Sequence, residues 1–198
     1  MLCDPSSAGL DFEKCSFKAS DGVELEGWLI PPKAGQAPLC TVLFLIGNAG
    51  NISYYIETAK LFNDLNCELL LFNYRGYGSS GAESGEFPSE EGVYRDSEAA
   101  YDYLVGVRGV KPERLVLVGR SLGGGAACAL ALRRKISALV LESTFASIPA
   151  MSAKLYPIYP AALLAKIKFD NLAKIPKIKA PTLIFHSFSD ALVPHKQG

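Results

Sequence analysis

"VLVGRSLGGG", residues 116–125, decides the fold of this 198-residue chain. An apolar run enters Gly119-Arg120-Ser121-Leu122-Gly123, and an Ala/Leu-rich stretch, "AACALALRRK", follows. The order predicts a buried strand, a sharp turn and a helix. In so tight a turn the central residue is held in a strained backbone conformation. Glycines must flank it so that strand and helix backbones can approach. The Ser121 hydroxyl then projects from the turn, and the first helical N–H groups and the positive helix end face the same point. This context suits a nucleophilic serine. A small-residue helix start without chemistry is the plainer reading. A phosphate loop fails on residue type, since neither GxGxxG nor GK[ST] is present.

Outward from this turn the chain alternates. "CTVLFLI", "CELLLFN", "RLVLVG", "ISALVLES" and "PTLIFHS" are short apolar runs expected of buried parallel strands. Between them, "NISYYIETAKLFNDL", "EEGVYRDSEAAYDYLVG" and "SLGGGAACALALRRK" read as helices. Strands alternating with helices predict an α/β fold whose mostly parallel sheet is covered on both faces. In front, "FEKCSFKAS" and "GVELEGWLI" flank "DG" and predict an antiparallel hairpin on one sheet edge. The chain reads as one domain, 1–198. Within it, residues 144–180 form a Pro-rich insert that is expected to be a small cap, the alternative being a lengthened crossover helix.

Composition narrows the function classes. Twenty basic and twenty acidic residues leave no field for nucleic acid or an anionic membrane. The lysines from Lys166 to Lys179 read as a solvated face. Five cysteines, Cys3, Cys15, Cys40, Cys67 and Cys128, never form a CxxC pair. They are expected to be reduced and mostly buried, with no zinc site. The start lacks a basic region followed by an apolar stretch. The apolar run "PLCTVLFLI" falls far short of the roughly 20 residues that span a bilayer. A cytoplasmic location is expected, with an upstream anchor left open.

A second feature is "LFLIGNAGN", residues 43–51, where a strand ends in permissive backbone and a helix follows. An N–H of this loop, at Asn48 with Ala49 next, can face the turn across a cleft. With the N–H of Leu122 it would complete a two-donor oxyanion hole. The loop can equally be a mere turn with a helix cap at Asn51.

Five motifs now stand in order: "GNAGN" (47–51), "NYRGYGSSG" (73–81), "GRSLGGG" (119–125), "LESTFAS" (141–147) and "HSFSDALVP" (186–194). Together they resemble the α/β-hydrolase superfamily, in particular its small-cap, esterase-like branch, from about Phe12 to the last residue. The resemblance implies an α/β-hydrolase fold and a serine hydrolase of esters, thioesters or amides, without cofactor or metal. Its partner is a small acyl substrate. By position Ser121 matches the nucleophile, Asp190 the triad acid, and Asn48 and Leu122 the oxyanion donors. One departure is Ile46, where the family usually carries a histidine that braces the loop.

The residues alone also point to an acid. Nucleophile, acid and histidine follow in that chain order in this fold, and Asp190 follows the strand "TLIFHS". Glu142, ending the preceding strand, is its rival. Asp96 and Asp102 lie on an amphipathic stretch and are expected to face solvent. Tyr74 and Arg75 are expected to fix a loop beside the cleft. A base is harder to find. His186 lies in the strand before Asp190 and reads as structural, and His195 follows Pro194 as in a first helical turn. Only eight residues follow Asp190, while a parallel crossover takes a dozen or more. The expectation is a fold lacking its last strand and helix, the histidine lying outside the chain. A short non-catalytic form and a rearranged site using His195 or His186 are the alternatives. "PTLIF" would then be an apolar sheet edge open to self-association.

Overall fold

The computed structural model describes residues 4–34, 36–48, 50–81, 85, 87–155 and 167–198. The hairpin forms where "DG" placed it. Strand β1 (Glu13–Lys18) pairs antiparallel with β2 (Glu24–Ile30) around a turn in which Gly22 takes a positive φ of 87°. Strands β3 (Thr41–Leu45), β4 (Glu68–Phe72), β5 (Leu115–Arg120), β6 (Ala138–Glu142) and β7 (Thr182–Phe185) then run parallel to one another. Among the described residues the sheet has seven strands in the order β1-β2-β4-β3-β5-β6-β7. Strand β2 joins the hairpin to β4 in antiparallel register, Leu29 opposite Leu70.

The order centres β3 and β5. All five residues of β3 are buried, as an apolar run covered on both faces requires. Three helices cover the sheet: α1 (Ile56–Asp64), α2 (Glu90–Asp102) and α3 (Leu122–Arg133). Helix α2 begins where Ser89 accepts a hydrogen bond from the Gly92 N–H (3.0 Å), with Glu90 and Glu91 at its positive end. Helix α3 is built of glycine, alanine and cysteine through its first turns, and Gly123 to Leu130 are all buried. Small side chains let this helix lie directly on the strands that flank it.

At the other edge β7 departs from the buried pattern its sequence suggests. It pairs with β6 on one side, and Leu183, Ile184 and Phe185 remain exposed on its faces. Of the insert, helix α4 (Ile148–Leu155) and a one-turn helix at Asn171–Lys174 are described. The centre of the expected cap, 156–166, lies outside the described residues. Cys15, Cys67 and Cys128 are buried free thiols and Cys40 is half-buried; Cys3 lies outside the described residues. Among the described residues no helix is long and apolar enough to cross a membrane.

One expectation is overturned. Asp96 is fully buried rather than solvent-facing, while Asp102 is exposed as expected. The amphipathic pattern of α2 misled because the helix packs against a loop that carries a buried cation. Arg75, only 2% exposed, donates to Asp96 through its backbone N–H (2.8 Å), Nη2 (2.8 Å) and Nε (3.0 Å). It also donates to Asp21 through Nη1 (2.8 Å) and Nη2 (3.0 Å). A buried charge must be paired, and this arginine binds the hairpin turn, helix α2 and the loop after β4 into one unit.

Candidate active site

The turn between β5 and α3 is as tight as its glycines imply. Ser121 has φ 53° and ψ −118°, a region L-residues seldom occupy. A side chain at Gly119 would meet the Gly123 carbonyl oxygen at 2.6 Å and the Ala127 Cβ at 2.8 Å. One at Gly123 would fall 1.9 Å from the Leu45 carbonyl oxygen at the end of β3. Only glycine permits both approaches. The backbone of Ser121 is held from the far side by β6: its N–H donates to Glu142 O (2.9 Å), and its carbonyl accepts from the Thr144 hydroxyl (2.8 Å). Its own hydroxyl makes no hydrogen bond among the described residues.

The loop after β3 closes on the same point. A Cβ placed on Gly47 would lie 3.5 Å from the Ser121 Cβ. The Gly47 N–H is already spent on the Tyr55 hydroxyl (2.9 Å). Asn48 is clasped by Tyr77, whose hydroxyl lies 2.6 Å from Asn48 Oδ1 and 3.2 Å from its carbonyl oxygen. The N–H groups of Asn48 and Leu122 have no partner among the described residues. Asn51 caps the following turn by accepting from the Ser53 N–H (2.9 Å).

Asp190 sits past β7, with Glu142 and Ser143 at the end of β6 between it and Ser121. Its Oδ1 accepts the backbone N–H groups of Val193 (2.8 Å) and Leu192 (2.9 Å). The Val193 N–H does most to hold this carboxyl below its ordinary range, with Leu192, His186 and Ser143 adding to it. Oδ2 lies 3.4 Å from His186 Nε2. That nitrogen is committed elsewhere: the Val193 carbonyl, 2.6 Å away, can only accept, so Nε2 carries the proton. His195 packs its ring on Phe188 at 5.2 Å. No hydrogen bond joins either histidine to Ser121. Glu142 instead faces Arg120, at 3.7 Å. A groove of about 940 Å³ is lined by Trp28, Asn51, Asn73 and neighbours, and Ser121 is not among them.

Residues 36–174 match the family described as serine aminopeptidase, S33. The chain belongs to this family of α/β-hydrolases. Protein Rv2307c of Mycobacterium tuberculosis is 37% identical over 178 residues, covering 89% of this chain and 61% of that protein. The alpha/beta hydrolase domain-containing protein WAV2 of Arabidopsis thaliana is 32% identical over 209 residues, covering 96% of this chain and 65% of the relative. The chain therefore spans less than two thirds of the length of either. Among solved structures, the Pyrococcus furiosus esterase Pf2001 superposes with a TM-score of 0.77 at 20% identity, covering 98% of this chain and 76% of that one.

The hydrolase fold thus brings Ser121, Leu122 and the Gly47–Asn48 loop together and sets Asp190 two strands further along, past β7. It brings neither histidine to the serine. The sequence reading passed over Tyr55 and Tyr77, which hold the loop where Ile46, fully buried, has no polar group to offer. The available signal was an apolar residue, Ile46, at a position that needs a brace, with Tyr55 in the turn that follows.

Proposed function

We propose that this hydrolase cleaves carboxylic esters or thioesters through an acyl-enzyme on Ser121. Ser121 Oγ attacks the carbonyl carbon, and the N–H groups of Asn48 and Leu122 hold the oxyanion. The serine proton passes to a histidine oriented by Asp190 and then to the departing alcohol or thiol; water later releases the acid. In this reading the histidine lies outside the 198 residues, because His186 and His195 are both engaged away from Ser121. The observation that carries the reading is the unengaged Ser121 hydroxyl, held at positive φ on a strand-to-helix turn beside two unspent N–H groups. The acid assignment is supported by Asp190 keeping Oδ2 clear of the backbone bonds that occupy Oδ1.

A fluorophosphonate probe tests it. The 198-residue chain should add one phosphonyl group slowly at Ser121, and Ser121→Ala should add none. Turnover of a short p-nitrophenyl ester should stay near background, since loss of one triad member costs several orders of magnitude. Absence of labelling at Ser121, here and in the longer protein, would leave a non-catalytic binding protein on the same fold. The family's description as aminopeptidase favours amide substrates as the second reading. Faster release from an amino-acid p-nitroanilide than from the matched ester would select it.

A further inference from the structure

We infer that Tyr77 is a positioning residue for the oxyanion hole, its hydroxyl aiming the Asn48 N–H at the carbonyl attacked by Ser121. The inference rests on Ser121 being the nucleophile, as proposed above. Asn48 is gripped from both sides. Upstream, the Gly47 N–H is consumed by the buried Tyr55 hydroxyl (2.9 Å), which fixes that peptide and leaves Asn48 as the next unspent donor. Downstream, the Tyr77 hydroxyl reaches both acceptors of Asn48, Oδ1 at 2.6 Å and the carbonyl at 3.2 Å. With both flanking peptides held, the direction of the Asn48 N–H is set before substrate arrives.

Tyr77 is itself rigidly mounted. Its backbone N–H donates to Tyr74 O (3.0 Å), its carbonyl accepts from Ser80 N–H (3.0 Å), and its ring packs edge-on against Tyr74 at 6.3 Å. The same turn is anchored through Arg75 to Asp96 and Asp21. Burial, with Tyr55 adding to it, pushes the Tyr77 phenol above its ordinary range, so it remains a donor at neutral pH. A preorganised donor contributes only when aimed at the oxyanion, and removing one outright costs about 10²–10³ in rate. Loosening one should cost less, about tenfold.

The test is Tyr77→Phe, which removes one oxygen and keeps the ring. The fluorophosphonate labelling rate at saturation and the half-saturating concentration are measured on the 198-residue chain, alongside the urea unfolding midpoint. The expected result is a saturating rate about 5- to 20-fold lower, with half-saturation and midpoint unchanged. Asn48→Ala should slow labelling similarly, and the double variant should be little slower than either single one, because both cut the same link. Equal rates for wild type and Tyr77→Phe, with labelling at Ser121 intact, would overturn the role of Tyr77 and leave the nucleophile standing. A slower variant that also unfolds at clearly lower urea would make the hydroxyl merely structural and overturn it too. No labelling of the wild type would overturn both.

Discussion

Replacing Asp96 by asparagine keeps the shape of a fully buried side chain and removes its charge. In the folded chain that carboxylate accepts from the Arg75 backbone N–H (2.8 Å), Nη2 (2.8 Å) and Nε, the last shared between both oxygens at 3.0 and 3.2 Å. Burial, with the Asp21 charge adding to it, pushes the Asp96 carboxyl above its ordinary range, and the Arg75 side chain and backbone N–H work against that. Removing one member of a buried ion pair strands the other and typically costs about 3–5 kcal/mol. Arg75 retains Asp21, whose side chain is 24% exposed, so the lower end, about 3 kcal/mol, is expected. In a chain of this size each kcal/mol moves the melting midpoint by about 2–4 °C, giving a fall of about 6–12 °C. Urea unfolding with a constant slope measures the free energy directly. Two controls sharpen it. Asp102→Asn disturbs an exposed pair with Arg134 (3.0 Å) and should stay within about 0.5 kcal/mol of wild type. The double variant Arg75→Met with Asp96→Leu strands no buried charge across this contact and should recover much of the loss. If Asp96→Asn unfolds together with Asp102→Asn, the buried network is not what holds the loop after β4.

Two further outcomes follow from local geometry. Ser121→Gly relieves a backbone conformation that L-residues avoid, so it should raise stability by about 1 kcal/mol in urea unfolding while abolishing fluorophosphonate labelling; a less stable variant would show that the elbow stores no strain. Acid sensitivity should follow Asp21, whose carboxyl is held well below its ordinary 3.8, first by hydrogen bonds from Arg75, with burial opposing and Arg95 assisting. A depressed folded value means that the unfolded chain binds the proton more readily, so this contribution is present above about pH 4 and fades as pH falls below it. Asp21→Asn should be less stable at pH 6 and should lose less stability between pH 4 and pH 2.5; parallel curves for variant and wild type would remove Asp21 from the acid transition.

Much of the site was legible because its geometry is local. Gly119, Ser121 and Gly123 sit within five residues, and a Cβ on Gly119 would strike the Gly123 carbonyl that the turn itself brings near. Buried strands announce themselves as apolar runs, and the alternation with helices sets the sheet. The hairpin follows from "DG". Asp190 was legible as an acid after a strand, but its partners, the Val193 and Leu192 N–H groups and His186, depend on how the chain folds back after β7.

Other contacts depend on residues far apart in the chain meeting in space. Helical periodicity put Asp96 on a solvent face, because nothing within α2 reveals that Arg75, 21 positions earlier, will be driven against it. Tyr77 meets Asn48 across 29 positions, and Tyr55 takes the Gly47 N–H from the turn before α1, its ring packed on Phe44 of β3. By itself the sequence determined the layers of the fold and the strained serine turn, since steric exclusion and apolar burial act on neighbouring residues. Only the tertiary structure decided which charges are buried, which N–H groups stay unspent and what grips the loop after β3. Those depend on hydrogen-bond partners that side chains find only once the sheet has brought distant loops to one end.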